Sequence, residues 1–414
     1  MTGVVVSGKR FRKGVFMSVL ISSSLPFEQC TGCGACKSVC PKGAIIFQPD
    51  DGDFPYPQVD ETKCIRCKLC EKTCPAVNPP ERHPILKAYA AQCLDKTALK
   101  ESTSGGVFTV FSRAVFNRGG VVYGCVWDDA YNAVIRKAEN EEEMKPMRGS
   151  KYVWSYAGNA FPEIKQFLEK GRMVLFSGLP CQVAGLKKYL RIEYDNLYLL
   201  DSLCSGSPSP MVFHKYLDTI CPDANPVTLN FKFRDKNPYG VGVHITYNGQ
   251  KKKTSPRSEY AINPYYYAFY SHLIDRLSCY QCTYGTDQRI SDFTMSDYWG
   301  INNYHADMDI QAGVSALMIN TEKGMRFLES VRRDIELVPT KVENIGRANN
   351  LAYEGKKRKP RIIPVTRKLF LNEVRKNGWN VAKRKHLFTY ARLVKIMRSG
   401  CPPQLAAILK RFLK

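Results

Sequence analysis

The sequence has no uncharged run long enough to cross a bilayer as a helix. Such a span takes roughly 20 apolar residues, whereas Gly14 to Phe27 is 14 residues and contains four serines and a proline. Nor is it poor enough in apolar residues to stay unfolded. At 414 residues, 44% hydrophobic and 24% charged, the composition excludes long disorder, collagen-like repeats and coiled coil. It predicts two or three domains with ample core. Acidic residues are nearly missing from one region. From Gly355 to the end, 18 Lys or Arg face a single acidic residue, Glu373, so this stretch supplies +17 of the net +23. The excess charge therefore describes a carboxyl-terminal appendage, and the first 354 residues are only mildly basic.

The sixteen cysteines are not spread as in small secreted disulfide domains, which are cysteine-dense throughout. Eight lie within 45 residues: Cys30, Cys33, Cys36, Cys40, Cys64, Cys67, Cys70 and Cys74. This grouping points to a metal cofactor in a reducing compartment, hence a cytoplasmic protein. The amino terminus complicates that reading. Lys9, Arg10, Arg12 and Lys13 precede the apolar stretch and loosely imitate a signal peptide, without a convincing cleavage site. Translation starting at Met17 is the favoured explanation, leaving residues 1–26 as a lead-in.

An internal repeat fills residues 27–80. Cys30-Thr-Gly-Cys-Gly-Ala-Cys-Lys-Ser-Val-Cys-Pro41 aligns with Cys64-Ile-Arg-Cys-Lys-Leu-Cys-Glu-Lys-Thr-Cys-Pro75. In this C-x2-C-x2-C-x3-C-P pattern, three thiolates wrap one cubane and the fourth ligates the other. The first [4Fe–4S] cluster is expected on Cys30, Cys33, Cys36 and Cys74, and the second on Cys64, Cys67, Cys70 and Cys40. Gly32 and Gly34 allow close backbone approach. A zinc site in paired C-x2-C groups would leave the third cysteine of each run idle. The unit resembles bacterial-type two-cluster ferredoxins, which implies one-electron carriage and says nothing of a substrate.

A Pro-rich linker, Cys74 to Pro84, closes this unit. From about 85 to 340, β-branched runs (Gly120–Val126, Met173–Phe176, Leu197–Leu200) alternate with helical patterns (Asn159–Lys170, Pro180–Arg191), which predicts an α/β domain with a largely buried sheet. Ser102-Thr-Ser-Gly-Gly106 precedes a helical pattern, as an anion site or a plain N-cap would. Arg148-Gly-Ser-Lys-Tyr152 offers a second cation and hydroxyl cluster. Phe176–Leu186 reads as strand, tight turn and helix start, the place where open α/β sheets bind ligands.

These blocks, followed by Phe233–Lys236, Ser278-Cys-Tyr-Gln-Cys282 and Ser291–Gly300, occur in an order that resembles the family of coenzyme F-420 hydrogenase/dehydrogenase beta subunits over about residues 85–330. The resemblance implies a flavoprotein oxidoreductase. An FAD domain would pass electrons between ferredoxin-type clusters and a deazaflavin-like or other small molecule. Ser102, Ser104, Gly105, Gly106, Ser150 and Lys151 are the residues expected to bind FAD. The fold expected is α+β: a small ferredoxin-like dicluster domain (27–80), a larger α/β flavin-binding domain (85–340) and a basic helical extension (355–414).

Cys181, Cys204, Cys279 and Cys282 are the expected ligands of a third [4Fe–4S] cluster, with reduced thiols or zinc as the alternatives. Cys93, Cys125, Cys221 and Cys401 are assigned to core or surface. His214, His244, Lys236 and Asp297 are acid–base candidates, none of them chosen. Apolar residues at helical spacing from Leu387 to Met397, and again from Leu405 to Phe412, give the basic extension an amphipathic face. It is read equally as a peripheral contact with anionic membrane or as a face packed on the flavin domain. No nucleic-acid reader motif accompanies the charge. The partner is therefore a redox protein or small electron carrier, and the competing reading is an electron-transfer component with no substrate of its own.

Overall fold

The computed structural model describes residues 25–220, 263–349 and 363–387, together with the backbone of 243–247 and 250–254. Residues 1–24 of the lead-in, the Phe233–Lys236 block, Cys221, Cys401 and the amphipathic pattern beyond Leu387 lie outside the described residues, as does the side chain of His244.

The cysteine-rich unit is built twice over, as the repeat requires. Helix α1 (Ala35–Val39) follows the first two cysteines and carries the third, Cys36, and strands β1 (Ile45–Pro49) and β2 (Pro55–Val59) pair antiparallel between the two repeats. Helix α2 (Leu69–Lys72) follows Cys64 and Cys67 and carries Cys70. Each helix is one turn long, which is what places the fourth cysteine beyond it.

The larger domain starts with β3 (His83–Pro84), β4 (Lys87–Cys93), α3 (Lys96–Glu101) and α4 (Val107–Phe116). It continues through β5 (Val121–Trp127), β6 (Ala133–Ala138), α5 (Glu141–Met144), β7 (Ser155–Tyr156) and α6 (Ala160–Glu169). Next come β8 (Val174–Gly178), α7 (Pro180–Leu190), β9 (Leu197–Ser202) and α8 (Pro210–Ile220), then the hairpin β10 (Val243–Tyr247) and β11 (Gln250–Thr254). Helices α9 (Pro264–Tyr270) and α10 (Leu277–Tyr280) precede β12 (Gln288–Arg289), which pairs with β3. The domain ends with β13 (Phe293–Asp297), β14 (Ser315–Ile319), α11 (Glu322–Ser330), β15 (Ile335–Pro339) and α12 (Val342–Ala348).

Nine strands form one sheet in the order β15-β4-β14-β13-β9-β8-β5-β6-β7. Its centre, β13-β9-β8-β5, is parallel, and antiparallel pairs extend it on both sides. Alternate residues serve opposite faces, as the two-residue period of a strand requires. Leu175 and Leu200 pack under α4 and α11 with Val110, Phe111 and Phe327. Val174, Phe176, Leu197 and Leu199 pack on the other face with Phe161, Ile164, Val183 and Leu186 of α6 and α7. This accounts for the continuous apolar runs in β5, β8 and β9.

The described part of the carboxyl-terminal region follows the packed one of the two expected readings. Helices α13 (Arg367–Asn377) and α14 (Trp379–Ala382) bury Phe370, Leu371, Val374, Trp379 and Ala382 against α8 and α9. Up to Leu387, therefore, one face of the basic extension is part of a core, while Val365 and Leu369 stay exposed. Its charges are turned outward or used internally: Arg367 is buried with Nε and Nη2 donating to the Asp275 carbonyl, and Arg375 pairs with Asp53 of the ferredoxin unit at 2.7 Å. Among the described residues no helix is long and apolar enough to cross a membrane.

Candidate functional site

The first cysteine set closes on one small cavity. Cys30, Cys33, Cys36 and Cys74 all line it, together with Gly32 and Gly34, as expected of the cross-ligation pattern. Burial, with the neighbouring cysteines of the same set contributing, pushes the Cys33 thiol up to about 12 and the Cys36 thiol well above its ordinary value. Raised thiols of this kind keep their protons until a cation displaces them, as bound iron would.

The second set sits nearer the surface. Cys67 is exposed and Cys40, Cys64 and Cys70 are half-buried. Burial raises the Cys70 thiol, with Cys40 and Cys67 contributing. Backbone amides donate to two of these sulfurs, Ala44 to Cys40 at 3.3 Å and Arg66 to Cys64 at 3.4 Å. Cys70 is also near Cys36 and Cys74 of the first set, so the two sets adjoin.

The third expected set converges too. Cys181 opens α7 just beyond the carboxyl end of β8, and Cys204 follows β9. Cys279 lies in α10 and Cys282 shortly after it. All four line one cavity of about 340 Å³ between the ferredoxin unit and the carboxyl edge of the sheet. Burial pushes Cys181 and Cys279 well above the ordinary thiol range, and each is raised further by the other members. Among the described residues, no three Cys, His, Asp or Glu side chains converge closely enough for one ion. A cubane holds its thiolates further apart than a single ion does, one to each iron.

Local sequence explains this placement. Gln182 Oε1 accepts the Leu179 N–H at 2.8 Å and Nε2 donates to Ser155, which fixes the turn carrying Pro180 and Cys181. Arg289 Nη2 donates to buried Asp201 at the end of β9 at 2.6 Å, while Nη1 donates to the carbonyls of Tyr284 and Thr286. That guanidinium holds the loop after Cys282.

The ferredoxin unit is pressed onto this edge. A Cβ on Gly34 would meet Gly158 Cα at 2.5 Å, and one on Gly185 of α7 would meet Cys33 Sγ at 2.9 Å. Ser38 Oγ donates to Gly158 O at 2.6 Å and Ser209 Oγ to Gly52 O at 2.6 Å. Cys33 and Cys181 are near neighbours, with the Tyr284 phenol beside both. Sequence reasoning does not single out Tyr284, Arg289 or Arg276. Their only signal is proximity to the Ser278–Cys282 block.

The residues expected to hold FAD are placed differently. Ser102 Oγ donates to Ala98 O at 2.7 Å, Ser104 Oγ to Val314 O at 3.2 Å, and the Gly105 N–H to Ser315 Oγ at 2.9 Å. A Cβ on Gly105 would meet Ala91 O at 2.0 Å, so this glycine serves strand packing. Lys151 Nζ donates to the carbonyls of Pro146, Arg148 and Gly149, and burial draws its ammonium down to about 8. Ser150 is exposed and Gly106 is the left-handed N-cap of α4. The Ser102 and Ser104 hydroxyls and the Lys151 ammonium are thus engaged inside the chain, while Ser150 faces solvent. The segment's own folding claims those groups.

Of the acid–base candidates, His214 on α8 is held below its ordinary value by burial, and Asp297 ends β13. Neither lines the cysteine cavity. Cys93 is buried in the core under α4, and Cys125 is half-buried on β5.

Residues 171–344 match the carboxyl-terminal part of the coenzyme F420 hydrogenase/dehydrogenase beta subunit, and residues 29–78 match the 4Fe-4S dicluster domain. The chain therefore carries the carboxyl-terminal domain of these beta subunits, with a 4Fe-4S dicluster domain ahead of it. The beta-subunit match begins at 171, so the Ser102 and Arg148 blocks fall outside it. An F(420)H(2) dehydrogenase subunit of Methanosarcina mazei is 22% identical over 335 residues, 77% of this chain and 86% of that protein. Coenzyme F420-dependent sulfite reductase of Methanocaldococcus jannaschii is 28% identical over 193 residues, 45% of this chain but only 29% of the relative's length. In the F420-reducing [NiFe] hydrogenase complex from Methanosarcina barkeri, one chain aligns with a TM-score of 0.44 and 14% identity, covering 77% of this chain and 94% of that one.

Proposed function

We propose that this iron–sulfur protein is the electron-carrying component of an oxidoreductase, with three [4Fe–4S] sites in a line from the surface to the edge of the sheet. The observation that carries this reading is the adjacency of the three cysteine sets: Cys70 beside Cys36 and Cys74, then Cys33 beside Cys181. Clusters bound there supply one-electron carriage between the exposed Cys67 face and the 340 Å³ cavity. The chain's own residues hold the ligands in place and keep water out. Gly34 and Gly185 let the two units approach, Gln182 and Arg289 fix the cysteine-bearing turns, and Tyr284 lines the cavity near Cys33 and Cys181.

The relatives' names point to coenzyme F420 as the small molecule at the far end. In our reading this chain exchanges electrons with a deazaflavin-like carrier, directly or through a partner protein. The expected flavin site favours the second route, because its donor set is used internally.

Anaerobic purification followed by assay of iron, acid-labile sulfide, zinc and released flavin tests the assignment. About 12 iron per chain is expected from three cubanes, with bleaching of the cluster absorbance on adding reduced coenzyme F420. Eight iron would remove the third site. Twelve iron with no bleaching would make the chain dependent on a partner. One bound FAD would reinstate a flavin site elsewhere in the domain.

A further inference from the structure

Arg276 is a buried cation that, among the described residues, has no carboxylate hydrogen-bonded to it. It is 1% exposed and stands at the N-cap of α10, its N–H donating to Ser207 O at 3.0 Å and its carbonyl accepting the Cys279 N–H at 2.9 Å. The side chain reaches away from that helix into the ferredoxin unit. Nε donates to Cys30 O at 2.8 Å, Nη2 to Pro55 O at 3.0 Å, and Nη2 lies 3.6 Å from Cys30 Sγ. Nη1 is buried without a hydrogen-bond partner among the described residues. The guanidinium lies 4.0 Å from the Tyr56 ring centroid, with Phe54 and Trp154 also around it, and a Cβ on Gly32 would meet it at 3.0 Å. The carboxylate that faces it, Asp50, is held by the Gly52 and Phe54 amides instead.

A buried guanidinium with no carboxylate hydrogen-bonded to it is costly, and an apolar side chain of similar volume would be preferred in its place. The compensation available is the anionic set around Cys30. A cubane gains a further negative charge on reduction. Burial opposes that charge, and a fixed cation at a ligand sulfur offsets the opposition. We propose that Arg276 is a positioning residue that raises the reduction potential of the cluster held by Cys30, Cys33, Cys36 and Cys74, while tying that cluster to the helix that carries Cys279. The proposal rests on the iron–sulfur reading of that set.

The test is a redox titration of the full-length holoprotein followed by electron paramagnetic resonance, with iron counted in parallel. A soluble dysprosium chelate broadens the signal of the exposed cluster and so assigns the buried one. Arg276→Gln is expected to lower the reduced-to-oxidised ratio of the buried cluster at least tenfold at a fixed potential, about 59 mV for one electron. The exposed cluster should not move. Arg276→Lys, which keeps the charge, should return the ratio to within about threefold of the native one. If Arg276→Gln sheds four irons while Arg276→Lys keeps them, the charge is needed for retention and the proposal holds. Equal potentials in native and Gln forms, equal shifts in Gln and Lys, or equal iron loss in both would each overturn it. A native protein with a single ferredoxin-type signal would instead overturn the iron–sulfur reading beneath it.

Discussion

Gly32 and Gly34 in the first repeat correspond to Arg66 and Lys68 in the second, and all four have positive φ, at 70°, 89°, 54° and 57°. The wrap around a cubane therefore demands the left-handed conformation in both loops, yet only one uses glycine. The difference lies in what stands outside the loop. A side chain at 34 would strike the Gly158 backbone and one at 32 would strike Arg276, whereas Arg66 and Lys68 are exposed. Arg66→Gly with Lys68→Gly should change stability by less than about 1 kcal/mol, since relief of left-handed strain and greater freedom of the unfolded chain oppose each other. Gly34→Ala should cost about 2–4 kcal/mol, because backbone must move. Anaerobic urea midpoints of the holoprotein measure both, and equal effects in the two loops would contradict the argument. The close approach at Gly32 and Gly34 was legible in the sequence. Its partner, another domain, was not, because the contact residues lie more than a hundred positions away.

The alternation of β5, α6, β8, α7 and β9 follows the sequence pattern closely, since buried parallel strands and amphipathic helices have different periods. Strand direction left no such trace. Antiparallel β4, β14 and β15 are as apolar as their parallel neighbours, and only the pairing reveals the mixed sheet. The carboxyl end of β9 shows why the site depends on this order. Asp201 is fully buried, and Arg289, 2% exposed, reaches it from the loop that follows Cys282. Asp201→Ala would leave a buried guanidinium unpaired, at about 3–5 kcal/mol. The thermal midpoint should fall accordingly, and iron should be lost from the cavity set before the ferredoxin sets. A variant within about 1 kcal/mol of native would show that Arg289 finds other partners. Asp201→Asn, which keeps an acceptor, should lose less.

Across the whole molecule, the three cysteine sets differ most in access. The repeat made the two ferredoxin sets look equivalent, and only docking against the α/β domain distinguishes them. Cys30, Cys36 and Cys74 are 7%, 7% and 8% exposed, while Cys67 is open to solvent beside Ile65, itself 59% exposed. The carboxyl-terminal helices reinforce the asymmetry, since Arg375 of α13 pairs with Asp53 and donates to the Asp50 and Asp51 carbonyls. That clamp holds the unit with its first set inward. Oxidants reach exposed thiolate ligands faster than buried ones. Limited exposure of the holoprotein to ferricyanide should therefore remove about four irons first, all from the Cys40, Cys64, Cys67 and Cys70 set. Iron assay with alkylation of the released cysteines, followed by peptide mapping, identifies that set directly. Simultaneous loss from both ferredoxin sets would mean that the docked arrangement does not protect the inner one. Arg375→Ala, which loosens the clamp, should narrow the interval between the two losses while leaving their order unchanged.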